Sequence, residues 1–218
     1  MRRRGKTYLA VLMAASVAMT ASVPAASVYA GEKSERVVSE SKDRAGQVFK
    51  VTAKPVEEEY DGKEYETQLE ITRDATSTFT CRIQYSTDGG KTYTEESPRF
   101  KNVARDANGA VTSYNVDYIV SAENYEPIKG STTVTIKPKP IQVSGIEAKD
   151  KTYDGTTHAD LIYDKLSLSG KLSSDELTLK ATGAFSDKNA GDNKIVTVSN
   201  MKLEGKDAGN YELEEDTY

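Results

Sequence analysis

The sequence predicts an all-β protein built from tandem immunoglobulin-like β-sandwich modules. Three observations favour this fold class. Apolar and polar residues alternate with a period of two in several short segments, which is the pattern of half-buried strands. Glycine-containing turns separate these segments. The chain of 218 residues holds 13 tyrosines and 4 phenylalanines but no tryptophan, which suits thin β-layers better than a thick aliphatic core.

The first 30 residues, 1–30, carry the three-part pattern of a secretory signal peptide. Four basic residues lie between positions 2 and 6, an apolar stretch covers 8–23, and small residues precede Ala30. The apolar stretch is too short and too rich in Ala, Ser and Thr for a good membrane anchor. We expect Sec-type export, cleavage after Ala30 and no membrane insertion afterwards. Cleavage would remove four basic and no acidic residues, so the formal charge would change from −5 to −9.

Composition argues against several functional classes. The single cysteine, Cys81, cannot form a disulfide within the chain, and the single histidine, His158, cannot build a histidine-rich metal centre. A chain of net charge −5 is a poor binder of nucleic acid. Residues 187–193 carry spaced oxygen ligands, but a glycine turn explains them better than a calcium loop does. We therefore expect no catalytic residue, no metal site, no cofactor and no nucleic-acid partner.

The first half of the mature chain predicts a polar segment and then a β module. Residues 31–46 offer little apolar surface to bury, so we expect a flexible lead-in. A β module follows over 47–137. Its clearest element is a hairpin over 82–93, in which two alternating arms flank an Asp-Gly-Gly turn. The segments 114–120 and 132–136 alternate in the same way and predict later strands.

Two prolines divide this module from the next one. Pro138 and Pro140 fix φ and remove two backbone donors, so we expect a stiff linker over 138–140. A second β module then covers 141–218. Within it, alternation over 177–181 and 195–198 predicts strands.

A repeated tripeptide supports the division into two modules. The sequence Tyr-Asp-Gly occurs twice, 93 residues apart, as Tyr60, Asp61 and Gly62 and as Tyr153, Asp154 and Gly155. Asp-Gly is a turn signal, and an aspartate there commonly caps its own turn. An alternative role as an acid or a ligand would need a second acidic residue at a fixed spacing, which neither copy has. We therefore interpret the six residues as structural, with each tyrosine packed beside its turn.

A second motif predicts a tyrosine corner. Asp207, Gly209 and Tyr211 have the D-x-G-x-Y spacing in which the tyrosine opens strand F of an immunoglobulin-like sandwich. Leu213 would then point into the core two residues later.

The equivalent tyrosine of the first module is best chosen by spacing. Tyr114 lies 54 residues after Tyr60, and Tyr211 lies 58 after Tyr153. Tyr125 has neighbours more like those of Tyr211, but it lies 65 residues after Tyr60. We take Tyr114 as the equivalent and expect Tyr125 in the following loop.

The second module resembles the YDG domain of bacterial surface and exported proteins. The resemblance rests on KTYDGTT at 151–157 and SLSGKLSSDELTLKATGAFSDKNAGDNKIVTVSNMKLEGKDAGNYEL at 167–213. The first module is similar to the related MBG-type repeat through EEYDGKEY at 58–65, IQYSTDGGKTYTEESPRFKNV at 83–103 and VTIKPKPI at 134–141. These resemblances imply non-enzymatic, adhesin-like modules in tandem arrays, secreted or held at the bacterial cell surface, with neighbouring repeats as partners. They imply no catalytic residue and no assigned binding residue.

The second module is expected to lack its last strand. Only 7 residues follow Tyr211, whereas 23 separate Tyr114 from Lys137. A missing strand would leave an unpaired sheet edge. Three explanations stay open: the chain is a piece of a longer repeat protein, a partner supplies the strand, or the domain tolerates the gap. A β-grasp-like core is the alternative fold, and it would need a helix, for which 159–166 is the best segment.

Loop tyrosines raise the question of carbohydrate binding. A tyrosine ring can stack on the apolar face of a sugar while its hydroxyl stays hydrated, and Tyr93 and Tyr125 are the candidates. The lack of tryptophan and the commoner packing role of tyrosine count against this. We expect an adhesin or stalk module for spacing and multivalent presentation, with an extracellular glycan or a host matrix protein as its partner. The alternative is a carbohydrate-binding accessory module of an exported glycan-degrading enzyme.

Overall fold

A computed structural model describes residues 36–42, 48–73 and 80–215 of the chain, and it divides into two compact units. The first unit holds the described residues of Met1–Val56, Tyr65–Phe100 and Ser113–Val134. The second holds Glu57–Glu64, Lys101–Thr112 and the described residues of Thr135–Tyr218. The predicted signal peptide and its cleavage position lie outside the described residues.

The described residues are all-β, as the sequence predicts, and they contain no α-helix. The strands of the first half are β1 (Val37–Lys42), β2 (Val48–Lys54), β3 (Val56–Glu59), β4 (Tyr65–Glu66), β5 (Gln68–Arg73), β6 (Cys81–Ser86), β7 (Arg99–Phe100), β8 (Ala104–Arg105), β9 (Val111–Thr112), β10 (Tyr114–Ala122) and β11 (Ile128–Lys137). Those of the second half are β12 (Lys139–Ser144), β13 (Glu147–Ala148), β14 (His158–Ala159), β15 (Leu161–Ile162), β16 (Ser167–Ser169), β17 (Thr178–Phe185), β18 (Val196–Glu204) and β19 (Tyr211–Leu213).

The core of the first unit lies between two sheets. One sheet has the strand order β1-β2-β5, and the first-unit part of the other has the order β11-β10-β6. Phe49, Val51 and Ala53 alternate along β2 and pack with Tyr118 and Val120 of β10, and all five side chains are fully buried. Period-2 alternation in both sheets therefore produces the predicted sandwich.

Part of the predicted lead-in is a strand. Residues 37–42 form β1, which pairs antiparallel with β2 from Val37 opposite Ala53 to Lys42 opposite Val48. Val37 and Val38 stay about half exposed. An edge strand is held by its backbone ladder and needs little apolar burial, so composition alone does not reveal it.

The predicted hairpin over 82–93 is present with one short arm. Strand β6 supplies the first arm, and the returning chain is reduced to a bridge at which Tyr85 and Thr94 exchange both backbone hydrogen bonds, at 2.7 and 2.9 Å. The predicted strands over 114–120 and 132–136 are confirmed as parts of β10 and β11.

The second unit contains two three-stranded sheets, with the orders β16-β12-β19 and β14-β17-β18, besides the short pairs β13-β15 and β8-β9. Ile146, Leu179, Val198 and Met201 form its buried cluster, and Leu213 packs against them. The predicted strands over 177–181 and 195–198 overlap β17 and β18, each starting one residue before the observed strand. Strand β19 runs parallel to β12, with Tyr211 opposite Lys139.

Two sequence expectations differ from the structure around this unit. The helix that a β-grasp-like core would place at 159–166 is replaced there by strands β14 and β15. The linker predicted over 138–140 is shorter, since only Pro138 separates β11 from β12. Pro140 lies within β12 because the fixed φ of proline is compatible with extended backbone.

The compact units also cut across the predicted modules. Residues 57–64 and 101–112, which the sequence assigns to the module over 47–137, cluster with the second unit. No helix within the described part of the chain is long and apolar enough to cross a membrane.

Candidate functional site

The two Tyr-Asp-Gly turns, residues 60–62 and 153–155, have the same backbone form. The Asp61 carboxylate accepts the Lys63 N–H at 2.9 Å, and the Asp154 carboxylate accepts the Thr156 N–H at 2.8 Å. Gly62 and Gly155 follow with φ of +79° and +77°, a conformation that favours glycine. Each aspartate therefore caps its own turn, and the glycine permits it.

A lysine ammonium organises the second of these turns. Lys151 Nζ donates to Asp154 Oδ1 at 2.9 Å, to Thr156 Oγ1 and O at 3.0 Å each, and to His158 O at 2.8 Å. Lys151 and the Thr156 hydrogen bonds lower the pKa of Asp154 to about 2. The lysine, the aspartate, the glycine and the first threonine after it in KTYDGTT all serve the shape of the loop.

The two tyrosines have opposite environments although their turns agree. Tyr60 is buried, with 1% of its surface exposed, whereas Tyr153 is 63% exposed. The first tyrosine therefore packs, as the sequence predicts, and the second does not pack within the described chain.

Tyr60 belongs to a buried cluster in the second unit, which we call the Asp175 cluster: Tyr60, Asp175 and Tyr211. Both phenols donate to Asp175 Oδ2, Tyr60 at 2.7 Å and Tyr211 at 2.8 Å. Their rings meet edge to face with centroids 5.4 Å apart. Ser174 Oγ donates to the other carboxylate oxygen at 2.7 Å. A carboxylate that is 7% exposed is thus matched by three hydroxyl donors.

The electrostatics of the Asp175 cluster follow from burial and these hydrogen bonds. Burial alone would raise the pKa of Asp175, but the hydrogen bonds from Tyr60, Ser174 and Tyr211 lower it overall. Burial, followed by the hydrogen bond to Asp175, raises the pKa of Tyr60. Burial is also the main reason that the pKa of Tyr211 rises to about 12. At neutral pH, therefore, Asp175 is an ionised carboxylate and both tyrosine hydroxyls are protonated and donate to it.

The corner predicted around Tyr211 is anchored at several points. The Leu172 N–H donates to the Tyr211 hydroxyl at 3.0 Å, across 39 residues of chain. The Glu176 N–H donates to Asp207 Oδ2 at 2.9 Å. Residues 208–210, including Gly209, form a short 3-10 turn that leads into β19. Asp207 and Tyr211 therefore fix the same 172–176 loop from two sides.

Residues 101–112 add a second set of contacts to this corner. The Val103 N–H donates to Asn210 Oδ1 at 2.9 Å, and Asn210 Nδ2 donates to Asn102 Oδ1 at 3.1 Å. Arg105 Nε donates to the Gly209 carbonyl at 2.8 Å. Asn210 is only 5% exposed, so its amide is satisfied from within the second unit.

Tyr114, the proposed counterpart of Tyr211, opens β10 but makes a different contact. Its ring stacks on Phe100 with centroids 4.1 Å apart and an interplanar angle of 19°. Burial raises the pKa of its hydroxyl. Val116, two residues later, is fully buried in the first unit.

The two tyrosines considered for sugar binding are not free platforms. Tyr93 is partly buried, and its hydroxyl lies against the turn, where a Cβ added to Gly90 would come within 3.1 Å. Tyr125 packs edge-on against Phe49 with centroids 5.5 Å apart, and the Arg73 guanidinium lies 5.8 Å from its ring. Tyr125 is part of the first unit's packing.

The Asp-Gly-Gly turn before Tyr93 is held by more side-chain hydrogen bonds than its sequence predicts. The Asp88 carboxylate accepts the Lys91 and Thr92 N–H groups at 3.0 Å each and the Thr92 hydroxyl at 2.6 Å. Ser86 Oγ donates to it at 2.7 Å. These bonds, led by those from Thr92, hold the pKa of Asp88 well below its usual range. The spacing Ser-x-Asp-x-Gly-x-Thr over residues 86–92 is the sequence signal that could have predicted these hydrogen bonds.

A polar groove of about 330 Å³ lies beside this turn in the first unit. Its lining includes Glu96, Arg99 and the hydroxyl-bearing residues Ser86, Thr87, Thr92, Thr94 and Ser97. Tyr85 also lines the groove. The groove offers both hydrogen-bond donors and hydrogen-bond acceptors, and the sequence does not predict it.

The remaining chemical candidates take structural positions. Cys81 opens β6, half-buried against the first core, and this burial raises the pKa of its thiol. His158 is exposed and lies 3.1 Å from Asp160. Within 187–193, Asp187 pairs with the Lys194 ammonium, which also donates to the Asn189 carbonyl at 2.6 Å. Among the described residues no group of three or more His, Cys, Asp or Glu side chains could hold a metal ion.

The comparisons with known proteins agree with one of the two resemblances. The chain is an all-β protein with sandwich modules. Its residues 137–218 match the family model of the YDG domain. This match covers the predicted range of 141–218. No curated protein and no solved structure matches the chain.

Proposed function

We propose that the chain is a non-enzymatic repeat protein, secreted or held at the bacterial cell surface, whose modules space and present their neighbours. The YDG domain at 137–218 is the observation that carries this proposal. The motif residues support it, since Asp61, Asp154 and Asp207 all accept backbone N–H groups and so maintain loop shape. In this proposal residues 1–30 are a Sec-type signal peptide, and an MBG-like repeat over 47–137 precedes the YDG domain.

Export and processing give the direct test. The full chain should be expressed in a bacterial host and recovered from the medium or the cell wall, and its first residues sequenced. We expect Gly31 at the new N-terminus. An Ala30→Arg variant should block cleavage there, whereas a Lys33→Arg variant should not. Recovery of the protein only inside the cell, with Met1 retained, would contradict export.

The alternative function is a carbohydrate-binding accessory module, and the polar groove beside Tyr93 favours it. Hydroxyl and charged groups around a concave surface suit the hydrogen-bonding pattern of a sugar. A glycan array probed with the full chain, followed by the same array with a Thr94→Val variant, tests this. Binding that Thr94→Val weakens would support the accessory role, and no binding to any glycan would remove it.

A further inference from the structure

The same turn occurs twice among the described residues, and only the first copy has its tyrosine buried there. In both turns the aspartate caps the turn in the same way, and the glycines have φ values that differ by only 2°. Both would therefore present the preceding tyrosine from a similar backbone. Tyr60 inserts beside Asp175, whereas residues 149–158 are exposed throughout. The difference lies in what each tyrosine meets.

The second turn is exposed without being irregular. Lys151 donates to oxygens of Asp154, Thr156 and His158, and it also lies 5.6 Å from the Phe185 ring. This network holds the loop in one shape while leaving the tyrosine ring 63% exposed. An ordered loop with an exposed aromatic ring is well suited to docking, because little conformational freedom is lost on binding.

The site that receives Tyr60 defines the chemistry of such docking. It offers a carboxylate oxygen, Asp175 Oδ2, which already accepts a second phenol at 2.8 Å. It also offers an edge-to-face ring in Tyr211 and an apolar wall in Leu172, to which a Cβ added at Gly62 would come within 3.2 Å. This site therefore recognises a tyrosine hydroxyl and a glycine turn. The Tyr153 turn has both.

We propose that the Tyr153 turn is a docking element that inserts into an aspartate–tyrosine site, equivalent to Asp175 and Tyr211, on a further YDG-type module. The partner is a neighbouring repeat and not a small ligand. This inference rests on the proposed function, since it needs an array of repeats. Repeats would then be joined by a tyrosine that reaches into the next module, in addition to the backbone connection.

An exchange within one chain tests whether the second turn fits the site. Residues 57–64 are replaced by the sequence of 150–157, which keeps the tyrosine and the Asp-Gly in place. We expect this chain to unfold at nearly the urea concentration of the parent. The control is the same exchange combined with Tyr60→Ala, which should unfold much earlier. If the exchanged chain and its control unfold together, the second turn does not fit the site and the proposal fails.

Association between chains tests the docking itself. A full chain carrying both Tyr60→Ala and Tyr153→Ala presents an empty site without a docking tyrosine of its own, and the parent chain presents Tyr153. We expect the two to associate in analytical ultracentrifugation. Tyr153→Ala in the donor should weaken association about tenfold, as loss of an anchoring aromatic does. Tyr163→Ala, at another exposed tyrosine, should leave it unchanged. Association that is insensitive to Tyr153→Ala would overturn the proposal.

Failure of docking is distinguishable from failure of the proposed function. Export and cleavage before Gly31 do not depend on Tyr153, so a secreted chain that neither associates nor tolerates the exchange would contradict docking alone. If the Tyr60→Ala chain does not fold, the exchange experiment still decides, because its main variant retains the tyrosine.

Discussion

The two Tyr-Asp-Gly turns agree in sequence and in backbone but differ in environment. Tyr60 is 1% exposed and hydrogen-bonded to Asp175, while Tyr153 is 63% exposed. Asp61 and Asp154 each accept the backbone N–H two residues later and so cap their turns. A repeated motif can therefore carry two separable roles: the Asp-Gly pair encodes a turn, and the tyrosine encodes a contact that depends on what lies beside it.

The largest contrast is expected from removing each tyrosine. Tyr60→Ala removes a buried ring and a hydrogen bond to a carboxylate, so it should lower the free energy of unfolding by about 3–5 kcal/mol. Tyr153→Ala should change it by less than about 0.5 kcal/mol because the side chain is exposed. Urea unfolding of both variants measures this. Equal losses would mean that the two tyrosines are equivalent after all.

Alkaline pH should destabilise the Asp175 cluster. The folded-state pKa of Tyr211 is raised to about 12, so its contribution to stability is complete below pH 10 and is lost as the pH rises. Between pH 10 and pH 12 the loss from this group should reach about 2 kcal/mol. The raised pKa of Tyr60 adds a loss of the same sign at higher pH.

The same cluster weakens in acid for the opposite reason. The pKa of Asp175 is lowered in the folded chain, so its stabilising effect is present above the unfolded pKa and is lost as the pH falls through the folded one. Urea unfolding from pH 2 to pH 12 should therefore give a plateau with a decline at each end. In a Tyr60→Phe chain both declines should be shallower. An unchanged alkaline decline in that chain would show that Tyr60 contributes nothing to it.

The glycines should differ by less than the tyrosines. Gly62→Ala and Gly155→Ala each place a Cβ at positive φ, which costs about 1–2 kcal/mol. Only the Cβ at position 62 would also crowd Leu172, at 3.2 Å, so Gly62→Ala should be the more destabilising. Thermal unfolding of the two variants compares them directly. The reverse order would indicate that position 62 relaxes without cost.

The smallest effect on stability is expected from removing Lys151, the lysine that holds the second turn. Lys151→Met removes the donor that bridges Asp154, Thr156 and His158, but in an exposed loop it should cost about 1 kcal/mol or less. The clearer readout is local: faster amide exchange at Thr156 and a rise in the pKa of Asp154 from about 2. Lys149→Met, at a neighbouring exposed lysine, is the control. Unchanged exchange would mean that the aspartate alone fixes the loop.

Alternation and turn chemistry predicted most of the fold from the sequence. The longest strands, β10, β11, β17 and β18, each contain a segment chosen for its period of two. The sequence does not predict strand β1 because its half-buried positions are Ser39 and Ser41, so it shows no apolar alternation. Fixed φ and missing donors predict a linker over 138–140, but extended backbone accommodates Pro140 within β12.

The Asp175 cluster could not be predicted in the same way. Its three members lie at positions 60, 175 and 211, and Asp175 belongs to no motif that the sequence displays. Its carboxylate is satisfied only in three dimensions, by donors as far as 115 residues away. The motif residues Tyr60 and Tyr211 were recognised, but the aspartate that joins them has no local signal.

The makeup of the second unit bears on how genes for such proteins can recombine. The match to the YDG family model begins at residue 137, yet Tyr60, Asn102 and Arg105 pack within the same compact unit as the matched residues. A crossover at the family boundary would deliver the domain without these residues. Selection should therefore favour crossovers that move segments upstream of the boundary together with the domain, so that inherited blocks and recognisable domains need not coincide.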